Sequence, residues 1–253
     1  MRASLIAVIT LFLAVASTGS VTQSFDHEAR RLFHEFKQTY GKNYNGYDNK
    51  KRFIIFKENL KRAEQHQRDE LGTAEYGVTQ FSDLTAEEFQ NYYANARFDE
   101  EHDSLTFTET IKKQAIPESF DWREHGAVGP VENQGACGSC WAFSVVGNVE
   151  GQWFIKKGKL LQLSKQELLD CDHVDHGCHG GYPLNTYKEI MRLGGLETSS
   201  DYPYVTHSQE CRLNKSQIAA RINGSVKISQ DEEIQAQWLH ERGPMSVALN
   251  AKY

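Results

Sequence analysis

The sequence has 253 residues, of which 39% are hydrophobic and 25% are charged, and this composition is ordinary for a globular protein. A net charge of -6 and the lack of a basic tract argue against nucleic-acid binding. All five cysteines follow residue 136, and their odd number leaves at least one thiol unpaired within the chain.

Residues 1–18 have the features of a secretory signal peptide. Arg2 gives a positive start, Leu5 to Val15 form an apolar core, and small residues at 14–16 offer a cleavage site. A membrane anchor is the alternative, but the apolar run is too short to span a bilayer. We therefore expect no membrane-embedded part and a lysosomal or extracellular destination, in an oxidising compartment where disulfides persist.

Two amphipathic helices are predicted next. Apolar residues at 25, 29, 32, 33, 36 and 40 form one stripe of a helix from Phe25 to Tyr40. A second, longer helix is predicted over residues 48–67. Steps of three or four along this helix place six residues on one face. They are Asp48, Arg52, Phe56, Asn59, Ala63 and Gln67.

A strand, a short helix and a connector are predicted after the second helix. Alternation over Tyr76–Phe81 favours a strand. Thr85–Glu88 is a capping box that opens a third helix. Residues 94–114 combine acidic residues, threonines and a lysine pair, which indicates an exposed connector that a protease can enter.

A glycine-rich loop then leads into an apolar helix that is predicted from Cys140 to about Lys157. The apolar residues occupy almost every side of this helix, which is typical of a buried helix. The start of a helix favours a thiolate because its unpaired N–H groups attract negative charge. Cys140 is therefore the candidate nucleophile, and Gln134 is a candidate donor to a developing oxyanion. The alternative for Gln134 is a loop amide that bonds its own backbone.

Three further elements are predicted downstream. Ser164–Glu167 form a second capping box, which opens a short helix that leads into Cys171. A helix over residues 185–193 ends at a glycine pair. The apolar stretch Pro244–Leu249 is predicted to be a buried strand, and such a strand needs a partner along its edge.

Three motifs together resemble the papain family of cysteine proteases. The stretch Cys137–Trp141 has the form C-G-S-C-W, which is typical of the segment around that family's nucleophile. The shared face of the second helix is similar to the propeptide pattern of cathepsin F-like members, with Asp48 in the place of a glutamate. A second propeptide motif, with Thr79 in the asparagine place, comprises Gly77, Thr79, Phe81 and Asp83. The resemblance covers about residues 25–253.

The resemblance implies an α+β, papain-like fold with a helical prosegment, a helical domain and only the start of a β-barrel domain. It divides the chain into a signal peptide at 1–18, an inhibitory propeptide at 19–115 and a partial peptidase domain at 116–253. It implies a monomeric cysteine endopeptidase zymogen that acts on peptide substrates without a cofactor and is blocked by cystatin-type inhibitors. The prosegment would cover the cleft and leave it in acid, as its carboxylates protonate.

The resemblance also implies roles for single residues. Cys140 is the nucleophile, and the Gln134 side chain binds the oxyanion together with the backbone N–H of Cys140. Two residues contact the substrate backbone, namely Gly180 and Gly181. Three residues line the pocket for the second residue before the cut, namely Tyr182, Pro183 and Ala248. The implied disulfides, Cys137–Cys178 and Cys171–Cys211, leave Cys140 free.

The family's base histidine lies roughly 130–150 residues after the nucleophile, which is beyond Tyr253. We therefore expect the chain as given to lack the catalytic histidine and its asparagine, and to be inactive alone. The alternative is a non-catalytic product that binds and inhibits related proteases through its prosegment.

Several other interpretations remain open at this stage. A histidine near Cys171 could serve as the base, or the cluster Cys171, His173, His176, Cys178 and His179 could bind a metal. The C-x-x-C spacing of Cys137 and Cys140 is compatible with a thiol oxidoreductase, and Cys140 could be an inert thiol. Two sequons, at Asn214 and Asn223, are candidate glycosylation sites.

Overall fold

The computed structural model describes residues 23–94, 111 and 114–249, and these fall into two compact units divided after Phe89. The described residues form seven helices, which we number α1 to α7. They are α1 (23–39), α2 (Gly46–Asp69), α3 (Ala86–Tyr93), α4 (Cys140–Lys157), α5 (Gln166–Cys171), α6 (Pro183–Leu193) and α7 (Glu232–Arg242). Within these ranges no helix is long and apolar enough to cross a membrane.

The first unit is built on an aromatic core between α1 and α2. Phe33, Phe36 and Phe56 are buried, and the Phe56 ring lies 5.2 Å and 5.1 Å from the rings of Phe33 and Phe36. Phe53 and Tyr44 pack around them. The apolar stripe predicted for the first helix and the position of Phe56 on the second are both confirmed.

The polar residues on the shared face of α2 bind the segment 74–88, which we call the return segment. Arg52 donates to the carbonyl of Asp83 at 2.9 Å and to the Glu88 carboxylate at 2.6 Å. Asn59 donates to the carbonyls of Ser82 and Leu84 at 3.0 Å and 2.8 Å. This face therefore acts as a clamp for the return segment. The motif on α2 holds that segment against the helix.

The strand predicted over Tyr76–Phe81 is wrong. The Tyr76 N–H donates to the Gln67 side chain at 2.9 Å, and a turn follows in which the Ser82 N–H donates to the Thr79 carbonyl. The backbone groups that a partner strand would use are thus bonded to α2 or to the turn. The capping box after it is confirmed, because Thr85 and Glu88 exchange two hydrogen bonds of 3.0 Å.

The second unit is organised around α4, which begins at Cys140 as predicted. Its side chains Trp141, Val145 and Val149 are buried in one apolar core, to which α5 and α6 contribute Leu168 and Ile190. The helix ends at Lys157 because Gly158 adopts a left-handed conformation that caps it.

Two predictions at helix starts need correction. Ser164 accepts from the Glu167 N–H at 3.0 Å, but the Glu167 carboxylate accepts from the Glu197 N–H, so only half of the second capping box forms. The helix predicted from residue 185 begins at Pro183, because proline is well suited to the first helical position.

The buried strand predicted over Pro244–Leu249 is also wrong. The stretch forms no strand within the described residues, and Val247 and Leu249 are 61% and 83% exposed. Side chains of α4 bind its backbone instead, since Asn148 donates to the Pro244 carbonyl at 2.6 Å. The described residues contain only isolated bridges, so the β part of the predicted fold is not seen in them.

Candidate active site

Cys140 is the first residue of α4 and the free thiol among the five cysteines. The preceding residue, Ser139, does not cap the helix with its side chain, because its Oγ bonds the Cys137 carbonyl and the Tyr204 hydroxyl. The N–H groups of Ala142 and Phe143 donate to the Ser139 carbonyl at 2.9 Å and 3.2 Å, whereas those of Cys140 and Trp141 lie beside the Cys140 thiol.

Burial raises the pKa of the Cys140 thiol, and the backbone N–H groups of Trp141 and Cys140 lower it without prevailing. Within the described residues, no charged side chain contributes to this pKa. The helix start alone thus does not make Cys140 a thiolate near neutral pH, and a cationic partner is needed for that.

A second loop, residues 172–182, lies directly against the start of α4, and we call it the glycine loop. The disulfide Cys137–Cys178 ties the two together. The Gly138 N–H donates to the Cys178 carbonyl at 3.0 Å, and the Trp141 indole N–H donates to the Gly177 carbonyl at 3.0 Å. Cys140, the candidate nucleophile, and the predicted substrate-binding glycines are thereby held in one cluster.

Packing explains why a glycine occupies position 181. A Cβ atom there would lie 2.5 Å from the Trp141 ring, so any side chain would clash with the residue next to Cys140. Gly180 has a φ of 102°, which favours glycine for conformational reasons. The two glycines therefore bring bare backbone close to the start of α4, as a site for an extended peptide requires.

An aspartate that the sequence analysis did not single out fixes the end of the glycine loop. The Asp175 carboxylate accepts from the Tyr182 N–H at 2.8 Å and from the Thr186 hydroxyl at 3.2 Å. The signal was present in the pair Asp172 and Asp175, because aspartates in turns often bond nearby backbone N–H groups. We considered this stretch only for its cysteines and histidines.

The Gln134 side chain bonds the backbone of its own loop, which is the alternative to oxyanion binding. Its Nε2 donates to the Cys137 carbonyl at 2.9 Å, within its own loop. A primary amide has two N–H groups, and this bond uses one of them. The second donor is what a role in oxyanion binding requires.

The three residues predicted to line a specificity pocket share one cavity on the second unit. Tyr182, Pro183 and Ala248 all line it, together with Tyr187 and Trp238. The cavity runs between α4, the start of α6 and the extended stretch after α7. The structure therefore brings together residues that are 65 positions apart in the sequence, from 183 to 248.

The two disulfides form as the resemblance implies, with Cys137 bonded to Cys178 and Cys171 to Cys211. A metal site in the histidine cluster loses both of its thiolate ligands by this pairing. No group of three or more potential metal ligands is assembled in the described ranges. The C-x-x-C alternative also fails, because Cys137 does not pair with Cys140.

Both candidate glycosylation sites are exposed. Asn214 lies in a turn in which its Oδ1 accepts from the Ser216 hydroxyl at 2.7 Å. Asn223 lies beside the cavity that Tyr182 lines. Occupancy of either site stays a prediction.

Comparisons with known proteins match both the first and the second part of the chain. Residues 116–253 match the family described as papain family cysteine protease, and residues 33–89 match the cathepsin propeptide inhibitor domain (I29). Cathepsin F of Mus musculus is 46% identical over 247 residues, which are 97% of this chain and 53% of the mouse protein. Cysteine proteinase 1 of Dictyostelium discoideum is 38% identical, over 96% of this chain and 76% of that protein.

Solved structures show the same fold. Procathepsin L2 from the larval midgut of Tenebrio molitor is 32% identical, with a TM-score of 0.78 over 85% of this chain and 73% of that one. The recombinant stem bromelain precursor is 31% identical, with a TM-score of 0.69 over 82% and 68%. The chain spans about half the length of mouse cathepsin F. The peptidase match covers more than half of this chain, which therefore belongs to the papain family of cysteine proteases.

Proposed function

We propose that the protein is a cysteine endopeptidase zymogen that hydrolyses peptide bonds with Cys140 as its nucleophile. One observation carries the proposal: the only cysteine left free by the two disulfides stands at the start of α4, clamped to the glycine loop. In an oxidising compartment, cysteines are normally paired in disulfides. A cysteine that stays unpaired there is expected to serve a reaction.

The chemistry requires a base that the described residues do not provide. Because burial raises the pKa of Cys140, we assign its activation to a histidine outside those residues. The histidine takes the thiol proton, and the thiolate attacks the substrate carbonyl to form a tetrahedral intermediate. The same imidazolium then returns the proton to the departing amine, and water hydrolyses the thioester that remains.

The oxyanion and the substrate backbone are assigned to groups of this chain. The Cys140 N–H and the second N–H of Gln134 would donate to the oxyanion. Gly180 and Gly181 would contact the substrate backbone, and the cavity lined by Tyr182, Pro183 and Ala248 would take the second side chain before the cut. An apolar or aromatic side chain fits that lining best.

The first unit is assigned as the inhibitory prosegment, since residues 33–89 match the cathepsin propeptide inhibitor domain. We place it in residues 19–115, with removal near residue 115, and we place the mature enzyme in a lysosome or outside the cell. Cystatin-type proteins are the expected inhibitors, and the enzyme is expected to be a monomer.

The natural protein, acidified to remove its prosegment, provides the test. It should hydrolyse a fluorogenic dipeptide with an apolar residue second from the cut, and Cys140→Ser should abolish hydrolysis. Gln134→Ala should lower kcat by about 10²–10³, as loss of one oxyanion donor does elsewhere. Asn133→Ala is the matched control, because Asn133 bonds the Gly135 N–H in the same loop and is assigned no chemistry. Hydrolysis that survives Cys140→Ser would contradict the proposal.

A second function is favoured by the match to the propeptide inhibitor domain. The chain would then bind related proteases without cutting peptides. The 253-residue chain should in that case inhibit a papain-family peptidase equally well with and without Cys140→Ser. Inhibition that is lost when the Arg52 clamp is removed by Arg52→Ala would locate it in the first unit. No inhibition by either form would exclude this function.

A further inference from the structure

The orientation of the peptide group between Gly181 and Tyr182 is set by one carboxylate. The N–H of this group belongs to Tyr182, and it donates to Asp175 at 2.8 Å. No described peptide bond is cis, and in a trans peptide the carbonyl points opposite to the N–H. The Gly181 carbonyl therefore points away from Asp175. The hydrogen bond that fixes this peptide group uses its N–H and does not involve the carbonyl.

Other contacts of Asp175 lock it in place. Its second oxygen accepts from Thr186 at 3.2 Å, and the same hydroxyl also bonds the Tyr182 carbonyl at 3.1 Å, so the start of α6 braces the carboxylate. The neighbouring His176 N–H donates to the Gly180 carbonyl at 3.0 Å. The peptide groups on both sides of Gly181 are thus held by residues 175 and 176.

A second aspartate faces Asp175. One oxygen of Asp172 accepts from the N–H groups of Val174 and Asp175 at 2.7 Å and 2.8 Å. The other oxygen is buried and has no hydrogen-bond partner among the described residues, although the two carboxyl groups are within bonding reach. A proton shared between Asp175 and Asp172 removes the repulsion between the two carboxylates.

Burial is the main reason that the pKa of Asp175 is raised to about 7, and the charge of Asp172 raises it further. No cation among the described residues contributes to the pKa of Asp175. Arg192 on α6 interacts with Asp172, but its side chain binds Glu189 at 2.7 Å and the Cys171 carbonyl at 2.9 Å, and Glu189 also accepts from the His173 N–H.

We propose that Asp175 is a positioning residue for peptide substrates, which aims the Gly181 carbonyl at a backbone N–H of a bound peptide and does so best while it shares a proton with Asp172. The inference rests on the proposed function, because it needs an extended peptide beside Cys140. It adds a residue that touches no substrate and acts only through the peptide group that it holds.

The pH dependence follows from the direction of the shift. A carboxyl group whose pKa is raised by folding stabilises the folded loop below its ordinary pKa near 4, and this contribution is lost as the pH rises through about 7. The alignment of the glycine loop is therefore expected to be complete in acid and to weaken above neutrality. An asparagine at this position keeps an acceptor for the Tyr182 N–H and cannot ionise.

Two reagents separate alignment from thiol reactivity. A dipeptidyl epoxide reaches Cys140 through the substrate site, whereas iodoacetamide reports the thiol alone. The ratio of their rate constants, measured at pH 5 and pH 8 on the natural protein after acid has removed its prosegment, cancels the thiolate fraction. Asp175→Ala should lower this ratio about tenfold at pH 5, because the Tyr182 N–H loses its acceptor. Asp175→Asn should keep it, and should abolish the fall that the wild type shows between pH 5 and pH 8.

Asp170→Asn is the matched control. Asp170 also accepts a backbone N–H, from Gln209 at 2.7 Å, but it has no contact with the glycine loop, so its ratio should equal that of the wild type. If Asp175→Ala fails to fold, the asparagine variant and the wild-type pH profile still decide. An unchanged ratio in Asp175→Ala, or a wild-type ratio that is the same at both pH values, would overturn the inference. A wild type that shows no preference for the peptidyl reagent would instead overturn the proposed function, and this inference with it.

Discussion

The acidic residues of the two units differ in the direction of their pKa shifts. In the first unit, the acidic groups whose pKa values shift bind cations or backbone N–H groups, and their pKa values are lowered. Hydrogen bonds from Lys57, Arg31 and Lys61 do this for Asp26, Glu28 and Glu58. For Glu88, burial raises the pKa, but the Arg52 side chain and the Thr85 N–H prevail and lower it.

In the second unit, several acidic side chains are buried, and burial raises their pKa values. Burial is the main cause for Glu150, even though Lys165 opposes it, and for Glu167, whose pKa is raised to about 7. Asp121 and Glu189 are exceptions, because Arg123 and Arg192 lower theirs. One oxygen of Glu167 is buried without a partner in the described part of the chain, which is the environment of a neutral acid.

The difference gives acid opposite effects on the two units. A carboxylate with a lowered pKa stabilises its unit above about pH 4, and this contribution is lost as the pH falls further. A buried acid with a raised pKa stabilises its unit in acid, and this contribution is lost as the pH rises through about 7. A chain of this kind can lose its first unit in acid while its second unit remains folded.

The largest expected effect tests whether the aromatic core supports the first unit. Phe56 is fully buried, so Phe56→Ala should lower the free energy of unfolding by about 3–5 kcal/mol. Hydrogen exchange should accelerate in α1 and α2. Ile54→Ala is the control on the same helix, because Ile54 is 59% exposed and its loss should cost less than about 0.5 kcal/mol. Equal effects of the two variants would contradict the core that we describe.

The next effect tests the buried acid of the second unit. Between pH 8 and pH 5 the wild-type unit should gain on the order of 2–3 kcal/mol from Glu167, by the relation between a pKa shift and free energy. Glu167→Gln removes this titrating group and should reduce the pH dependence by that amount, as measured by urea unfolding monitored in α4 and α5, while Asp175, whose pKa is also raised to about 7, keeps the rest of the slope. The exposed Glu124→Gln should retain the wild-type slope. A profile in Glu167→Gln as steep as that of the wild type would show that Glu167 does not contribute.

A smaller effect tests the clamp of the first unit. Arg52→Gln removes the charged bonds to Glu88 and the Asp83 carbonyl and should cost about 1.5–3 kcal/mol at pH 7. The loss should shrink below pH 4, where Glu88 becomes protonated in both proteins. Lys61→Gln breaks an exposed pair with Glu58 and should cost less than about 1 kcal/mol. A penalty for Arg52→Gln that is the same at pH 3 and pH 7 would exclude the role of Glu88.

Much of the fold was predictable from spacing. The helix starts at Cys140 and Ala86 and the face of α2 follow from apolar periodicity and capping residues, which act locally. Helix α7 was missed, although Asp231 caps it and Gly243 ends it, because its apolar residues do not form a clear stripe. The two strand predictions were wrong because a strand needs a partner strand, and the local sequence pattern does not identify one.

The site was predictable only where a motif carried it. Cys140, the glycines and the disulfide partners were assigned by resemblance. Asp175 was not, because its role depends on which backbone N–H the folded loop brings to it. For Gln134, the resemblance predicted a donor to the oxyanion, whereas the contact seen in the structure lies within its own loop.

The most direct test of the account is to label the natural protein with an epoxide inactivator of cysteine proteases, before and after mild acid. Our account predicts one label after acid, on the peptide that contains Cys140, and no label in Cys140→Ser. It also predicts weak labelling before acid, because the first unit is assigned as the inhibitor. A protein that takes no label after acid, or takes it at another residue, would contradict the assignment of Cys140 as the nucleophile.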